Sequence, residues 1–208
     1  YGDQGFSFVI ENSSHQQDSE RSNQLKVRVL GQRSLVSFLS PERERGRAML
    51  KDGKNMWLYI PGTRKVIRIT PAQRLIGQAS NGDVMGTTLS CQYDVESLEQ
   101  DNSTQPSWKL TLSAGKEGLT YGRIELWLSQ HPGHKPLQAK FYSRSGKHLK
   151  TAEYLSTTEV NGEPKLASIK LTDAIRPEHY TLMTFDQYQT EELDTALFNK
   201  DALKYLDF

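Results

Sequence analysis

The run Met56-Trp57-Leu58-Tyr59-Ile60 is apolar at every position. A strand wetted on one side alternates apolar with polar side chains. This run does not alternate, so both of its faces must meet apolar material. One face can lie on a protein core. The other needs a second cover: a helix, a plug or a lipid. Asp52-Gly53, before the run, is a hairpin-turn dipeptide. Pro61-Gly62, after it, sets Pro and Gly where a type II turn takes them, and a partner strand, Arg64 to Ile69, comes next.

Elsewhere the hydrophobic pattern has period two. Phe6, Phe8 and Ile10 form one set, and Leu25, Val27 and Val29 another, with the polar stretch Asn12 to Asn23 predicted as a loop between them. Further strands are predicted over 35–39, 48–51, 108–112, 121–128, 137–142, 150–159, 166–171 and 180–188. Asn161-Gly162 carries a type I′ turn signal. From Thr70 to Asp94 the pattern breaks. A short helix is predicted over 71–76, Gly77, Gly82 and Gly86 interrupt the residues beyond it, and a helical turn is predicted over 94–99. Segment 70–94 is the candidate plug, through Leu75, Ile76, Met85 and Leu89. The tail, 190–208, reads as a short helix with an extended end. The expectation is a mainly β protein, one domain over 1–208, with ten or eleven strands joined by hairpins. A sheet that large curls. The outcome is either a half-open barrel whose concave face is covered by short helices and loops, or a closed up-and-down barrel.

Composition removes several functions. Lys plus Arg number 26 against 25 Asp plus Glu, without the basic excess of a nucleic-acid binder. No apolar run approaches the roughly 18 residues of a membrane-spanning helix. The single cysteine, Cys91, forbids an internal disulfide and a cysteine-based zinc site, and reads as a small buried apolar residue. His131-Pro132-Gly133-His134 reads as a turn with two loop histidines rather than a metal site. Asp94, Glu96 and Glu99 cluster without a serine or histidine motif beside them. There is no nucleophile elbow, phosphate-binding Gly-Lys loop or His-Glu-x-x-His motif. No catalytic residue, metal or cofactor is assigned.

Several blocks together resemble the bacterial outer-membrane lipoprotein-sorting family, the LolA/LolB-like proteins. They are Phe38-Leu39-Ser40-Pro41, Met56 to Pro61, Arg64 to Ile69, Met85-Gly86-Thr87 ahead of Tyr93-Asp94, Tyr121 to Trp127, Pro136 to Ala139 leading to Phe141-Tyr142, Ser145-Gly146-Lys147 and Leu197-Phe198. The resemblance runs from Lys26 to Phe198. It departs from the family pattern at Leu89-Ser90-Cys91, where many members carry an aromatic residue. It implies a curved antiparallel sheet around short helices, an apolar cavity for acyl chains, and residence in the periplasm of a Gram-negative bacterium. With no leader before Tyr1, a mature form after signal-peptide removal is expected.

The reading is a monomeric, non-enzymatic carrier of lipid or lipoprotein acyl chains in outer-membrane lipoprotein trafficking. The rival is a sensor or adaptor docked on an inner-membrane transporter. The expected cavity wall comprises Phe38, Leu50, Trp57, Tyr59 and Leu112, then Trp127, Phe141, Met183 and Phe185. Trp57 and Tyr59 have two readings, lipid contact or packing under a helix. Arg64 and Arg68 also have two, a cavity mouth that meets an anionic group or a solvated strand edge.

Overall fold

The computed structural model describes residues 5–85, 89–116 and 118–206, with the side chains of Ser90 and Cys91 outside the description. Period-two sequence becomes strand almost throughout. The first half is a meander of β1 (Gly5–Gln16), β2 (Ser19–Leu30), β3 (Arg33–Ser40), β4 (Ala48–Asp52), β5 (Asn55–Ile60) and β6 (Lys65–Ile69). A crossing segment then holds β7 (Arg74–Ile76), β8 (Ala79–Ser80), α1 (Asn81–Val84) and α2 (Leu89–Gln92). A second meander comprises β9 (Asp94–Asp101), β10 (Ser107–Ser113), β11 (Arg123–Ser129), β12 (Pro136–Tyr142), β13 (His148–Val160), β14 (Glu163–Asp173) and β15 (Tyr180–Glu191). Two short 3-10 helices, Thr195–Phe198 and Ala202–Tyr205, end the described chain.

Thirteen strands form one sheet in the order β6-β5-β4-β3-β2-β1-β15-β14-β13-β12-β11-β10-β9, and β7 pairs with β8 separately. The first and last strands pair with each other in mid-sheet, antiparallel like their neighbours. The free edges, β6 and β9, are not hydrogen-bonded to each other, so the sheet is unclosed and the closed-barrel alternative fails. This order fixes the plug's path. The chain leaves one edge after Ile69 and must cross a face of the sheet to reach the other edge at Asp94.

The sheet curls around that crossing. Met85 O accepts a hydrogen bond from Ser34 Oγ of β3 at 3.1 Å, while Asp83 pairs with Lys150 of β13. In a flat sheet β3 and β13 lie five strand spacings apart, about 24 Å. Two residues of chain span at most about 7 Å. Both contacts form because the strands wrap toward the plug.

Several local expectations are corrected. Asn12 to Asn23 is not a loop: β1 and β2 run on to a turn at Gln17-Asp18. A ladder needs only backbone partners, and polar side chains can pair across it, as where Asn12 Nδ2 donates to Asn23 Oδ1 at 2.7 Å. The helix expected over 71–76 is a turn leading into β7, and the helix forms later, at Asn81–Val84, where Ser80 and Asp83 make a reciprocal cap. The helical turn expected over 94–99 is edge strand β9, whose charged side chains suit a free edge. Pro61-Gly62 does not form a type II turn. Pro61–Thr63 is a 3-10 turn, and Arg64 takes the left-handed conformation at φ 52°. Asn161 and Gly162 do adopt the paired positive φ of a type I′ turn, 53° and 77°.

Each strand partner lies on the same face as its opposite residue. Val27, Val36, Met49 and Leu58 form one such row on the inner face, the face that the plug covers. Leu35, Leu50 and Trp57 form a row on the outer face. There Phe198 and Leu203 of the C-terminal 3-10 helices bury Leu35, Ala48, Leu50 and Tyr59. The tail is thus the second cover that Met56–Ile60 requires. Truncating its anchor, Phe198→Ala, should cost about 3–5 kcal/mol in urea unfolding and increase binding of a hydrophobic dye. A loss under about 1 kcal/mol would show that the tail is not a structural cover.

Candidate functional site

The inner face carries the larger apolar core. Phe38, Leu112, Phe141 and Met183 are buried in it, and Phe185 packs half-buried against it. Leu75, Ile76, Met85 and Leu89 from the crossing segment all meet this same core, Met85 fully buried. These nine side chains come together. The other four wall residues do not join them. Leu50, Trp57 and Tyr59 lie on the outer face beneath the tail, because alternation sends them opposite to Met56 and Leu58. Trp127 also points outward. Its Nε1 donates to Asp101 at 2.7 Å, and the Lys109 and Lys140 ammoniums lie 5.4 Å from its ring centre. Hydrogen bonds from Ser103, then Trp127, hold the Asp101 carboxyl down at about 2.

Arg64 and Arg68 do not face the inner core. Arg68 pairs across from Trp57 on the outer face, and its guanidinium donates to Asn55 Oδ1 at 2.7 Å. Arg64 sits in the exposed turn before β6. Both belong to the solvated edge.

A buried polar network that sequence reading missed pins the plug. Lys150 occupies the inner row Leu112–Ile124–Phe141–Lys150, where the other three residues are apolar. Its ammonium ion-pairs with Asp83 of α1 and donates to Gln78 O at 2.8 Å. Tyr121 OH donates to Asp83 Oδ1 at 2.6 Å, and Ser80 N and Oγ donate to Oδ2 at 2.7 and 2.8 Å. Tyr93 OH accepts the Tyr121 backbone N–H at 3.2 Å. Burial alone would raise the Asp83 pKa, but the Lys150 charge, aided by the Ser80 and Tyr121 hydrogen bonds, holds it below the ordinary value. Burial lowers the Lys150 pKa against the opposing pull of Asp83. Burial, then the Asp83 charge, pushes the Tyr121 phenol well up. Two sequence signals mark this network: a lysine at an inward strand position shared with Ala152 and Tyr154, and the capping pattern Ser80-x-x-Asp83.

A second clasp lies at Gly77. Its φ is +51°, and an added Cβ would fall 2.0 Å from Ser14 Oγ and 2.2 Å from Thr181 Oγ1. Thr181 Oγ1 also accepts the Gln78 N–H at 2.8 Å. The plug backbone therefore rests directly on β1 and β15.

Beside the plug the inner face stays apolar but is only half covered. Phe8, Phe185, Leu110, Leu128, Tyr154 and Leu166 are partly buried there. Phe6, Phe8 and Tyr188 form an aromatic group, with ring centres 5.3 to 5.5 Å apart. The apolar surface continues to both free edges. Ile67, opposite Leu58 on β6, is 41% exposed; Leu98, opposite Leu110 on β9, is 59% exposed. Two cavities, about 350 and 340 Å³, flank the plug, are lined largely by polar and charged residues, and do not adjoin Trp57.

A family model described as "-like: Uncharacterized protein" matches residues 31–205. No curated protein sequence matches the chain. Among solved structures, the chain is similar to a LolA superfamily protein from Nitrosomonas europaea. Identity is 27% and the TM-score 0.88, covering 99% of this chain and 93% of that one. It is also similar to a putative outer membrane lipoprotein-sorting protein domain from Vibrio parahaemolyticus, at 19% identity and TM-score 0.82, covering 98% and 92%. A DUF1329 family protein from Desulfovibrio piger is similar at 19% and 0.80, covering 97% and 91%. At 19% identity the latter two speak for the fold alone. An unclosed antiparallel sheet with few helices is the LolA-like architecture. The chain belongs to the family that the matching model describes, and its fold is that of the LolA superfamily protein.

Removing one partner of the buried pair should unseat the plug. Asp83→Asn leaves the Lys150 ammonium uncompensated and should cost about 3–5 kcal/mol, with Asp83→Leu/Lys150→Met recovering most of it. The pH sign is set by the depressed Asp83 pKa. Its contribution is complete above the ordinary carboxyl value of 3.8 and is lost as pH falls through the lower folded value. Denaturation curves across that window should show an acid limb that flattens in Asp83→Asn. Gly77→Ala should cost more than about 1 kcal/mol, from both φ strain and the clash, and a neutral result would remove the clasp.

Proposed function

We propose that the protein is a carrier that holds the acyl chain of a lipid or lipoprotein on the half-covered inner face, and that it is not an enzyme. It acts as one unit over 1–208, as a monomer in the periplasm of a Gram-negative bacterium, in lipid or lipoprotein trafficking to the outer membrane. The observation that carries this reading is the apolar inner face that runs past the plug to exposed Ile67 and Leu98 at the two unpaired edges. A protein with nothing to bind there would gain stability by covering that surface. Likeness to the LolA superfamily structure supports the same assignment.

The energetics suit reversible carriage. Burial yields roughly 0.8 kcal/mol per methylene, so ten methylenes supply about 8 kcal/mol before the cost of ordering the chain. With that cost subtracted, the dissociation constant is about micromolar or weaker. The chain enters between the β6 and β9 edges and lies beside Phe8, Phe185 and Leu128. The wall is therefore Phe8, Phe185, Leu110, Leu128, Tyr154 and Leu166, backed by the buried Phe38, Leu112, Phe141 and Met183, not the Trp57–Tyr59 face.

Displacement of a fluorescent fatty acid provides the test, with lipid extraction of protein purified from its native host. Phe185→Ser should weaken binding about tenfold through lost apolar contact, whereas Trp57→Phe should leave it unchanged. If neither labelled acyl chain nor co-extracted lipid is found, the carrier reading falls and the adaptor on an inner-membrane transporter takes its place.

A further inference from the structure

The cavity of about 350 Å³ lies where the plug meets β13 and the β14–β15 connection, and three chain segments bring cations to it. Arg74 comes from β7, Lys147 from the turn before β13, and Arg176 from the β14–β15 connection. Lys150 at its wall is already engaged by Asp83 and Gln78. Arg74, Lys147 and Arg176 have no carboxylate within ion-pair distance among the described residues. One carboxylate, Asp173, faces them among the described lining residues, and its Oδ1 is occupied by the backbone N–H groups of Ile175 and Arg176 at 2.9 and 3.0 Å. Three exposed cations against this one carboxylate leave a positive surplus around the cavity. Like charges do not gather this way without cost, and an anion relieves that cost.

Two further observations point to the kind of anion. Gln78, only 7% exposed, forms part of the wall, and its side-chain nitrogen finds no acceptor among the described residues. Leu149 and Ile175 also line the cavity, 37% and 70% exposed. Large apolar side chains set among arginines at a cavity lip match a ligand with an anionic group joined to hydrocarbon. Paired arginine forks suit phosphate geometry.

We propose that this cavity binds the phosphate of an anionic amphiphile's headgroup, Arg74, Lys147 and Arg176 neutralising the phosphate while Leu149 and Ile175 meet the adjoining hydrocarbon. The site uses residues other than those of the acyl-binding face, so either can fail alone. Because Arg74 belongs to the plug segment and Lys147 precedes β13, a bound phosphate also bridges the plug to the sheet close to the Asp83–Lys150 pair.

The test is partition onto phosphatidylglycerol-containing vesicles against pure phosphatidylcholine vesicles at fixed ionic strength. The wild type should bind the anionic vesicles, and Arg74→Gln/Arg176→Gln should lose roughly 30-fold in partition, given the usual contribution of each cation near an anionic surface. Lys54→Gln/Lys204→Gln removes the same charge from two exposed positions elsewhere and should change partition by less than about threefold. In a second arm, glycerol 3-phosphate and inorganic phosphate are titrated while the Arg74, Leu149 and Arg176 amide resonances are followed by NMR. Vesicle binding that glycerol 3-phosphate competes away assigns a lipid headgroup. Saturable shifts without vesicle binding keep the phosphate site and assign a soluble phosphate ester. Equal losses in the two double variants, or no response in either arm, overturn the proposal.

Discussion

The ion pair between Lys150 and Asp83 is the contact on which the arrangement of the inner face depends. The sheet leaves its two edges unpaired, and the chain must travel between them, so a segment has to cross the inner face. A crossing segment of four-residue helices and a two-stranded ribbon has little cooperativity of its own. It needs an anchor that cannot slide. A lysine set in a row of apolar side chains supplies one, since a buried ammonium requires a close carboxylate and further acceptors held in fixed places. Around it Ser80 and Tyr121 donate to the Asp83 carboxylate, and Gln78 O accepts from Lys150. The pair adds less to net stability than to position: it fixes which part of the inner face is covered and leaves the Phe8–Phe185 side half open.

The outer face solves a different problem. Six strands of the first meander end in an apolar edge region, and its outer row would be wet without the C-terminal tail. Phe198 and Leu203 cover it, which makes the two apolar faces of Met56–Ile60 compatible with one unbound protein. The same division of labour underlies the proposed binding surface. The tail satisfies the outer face completely enough that Leu35 and Leu50 are buried, whereas the plug leaves inner-face residues from β1, β10, β11 and β15 partly exposed. Apolar surface left over on one face, and not on the other, is what a carrier of hydrocarbon requires.

Much of this was legible in the residues. Alternation at Phe6–Ile10, Leu25–Val29 and Trp108–Leu112 places strands correctly because a half-buried strand can have no other pattern. The blocks around Met56–Pro61 and Tyr121–Trp127 carry a resemblance to LolA-like proteins, whose fold the structure shares. The plug was visible as a stretch without period, and Leu75, Ile76, Met85 and Leu89 lie on the inner core. Less was legible where side-chain polarity and backbone structure part company. Asn12 to Asn23 looked like a loop because its side chains are polar, yet ladder hydrogen bonds are indifferent to them. Charged β9 passed for a helical turn for the same reason. The Cys91 side chain and the Gly86-Thr87 part of the plug motif lie outside the described residues.

Sequence alone determined that the chain is mainly β, that Met56–Ile60 needs two covers, and that Lys150 and the apolar residues beside it share a strand face. Those are local facts, set by a repeat of two residues and by the chemistry of each side chain. Only the tertiary structure decided which cover lies on which face. Trp57 and Tyr59 meet the tail, not the plug, because the handedness with which the sheet curls selects one face as inner, and periodicity is symmetric between the two. Only the fold, likewise, brought Asp83 to Lys150, and Arg74 toward Lys147 and Arg176. Those partners are far apart in sequence, and nothing short of the edge-to-edge crossing sets the distance between them.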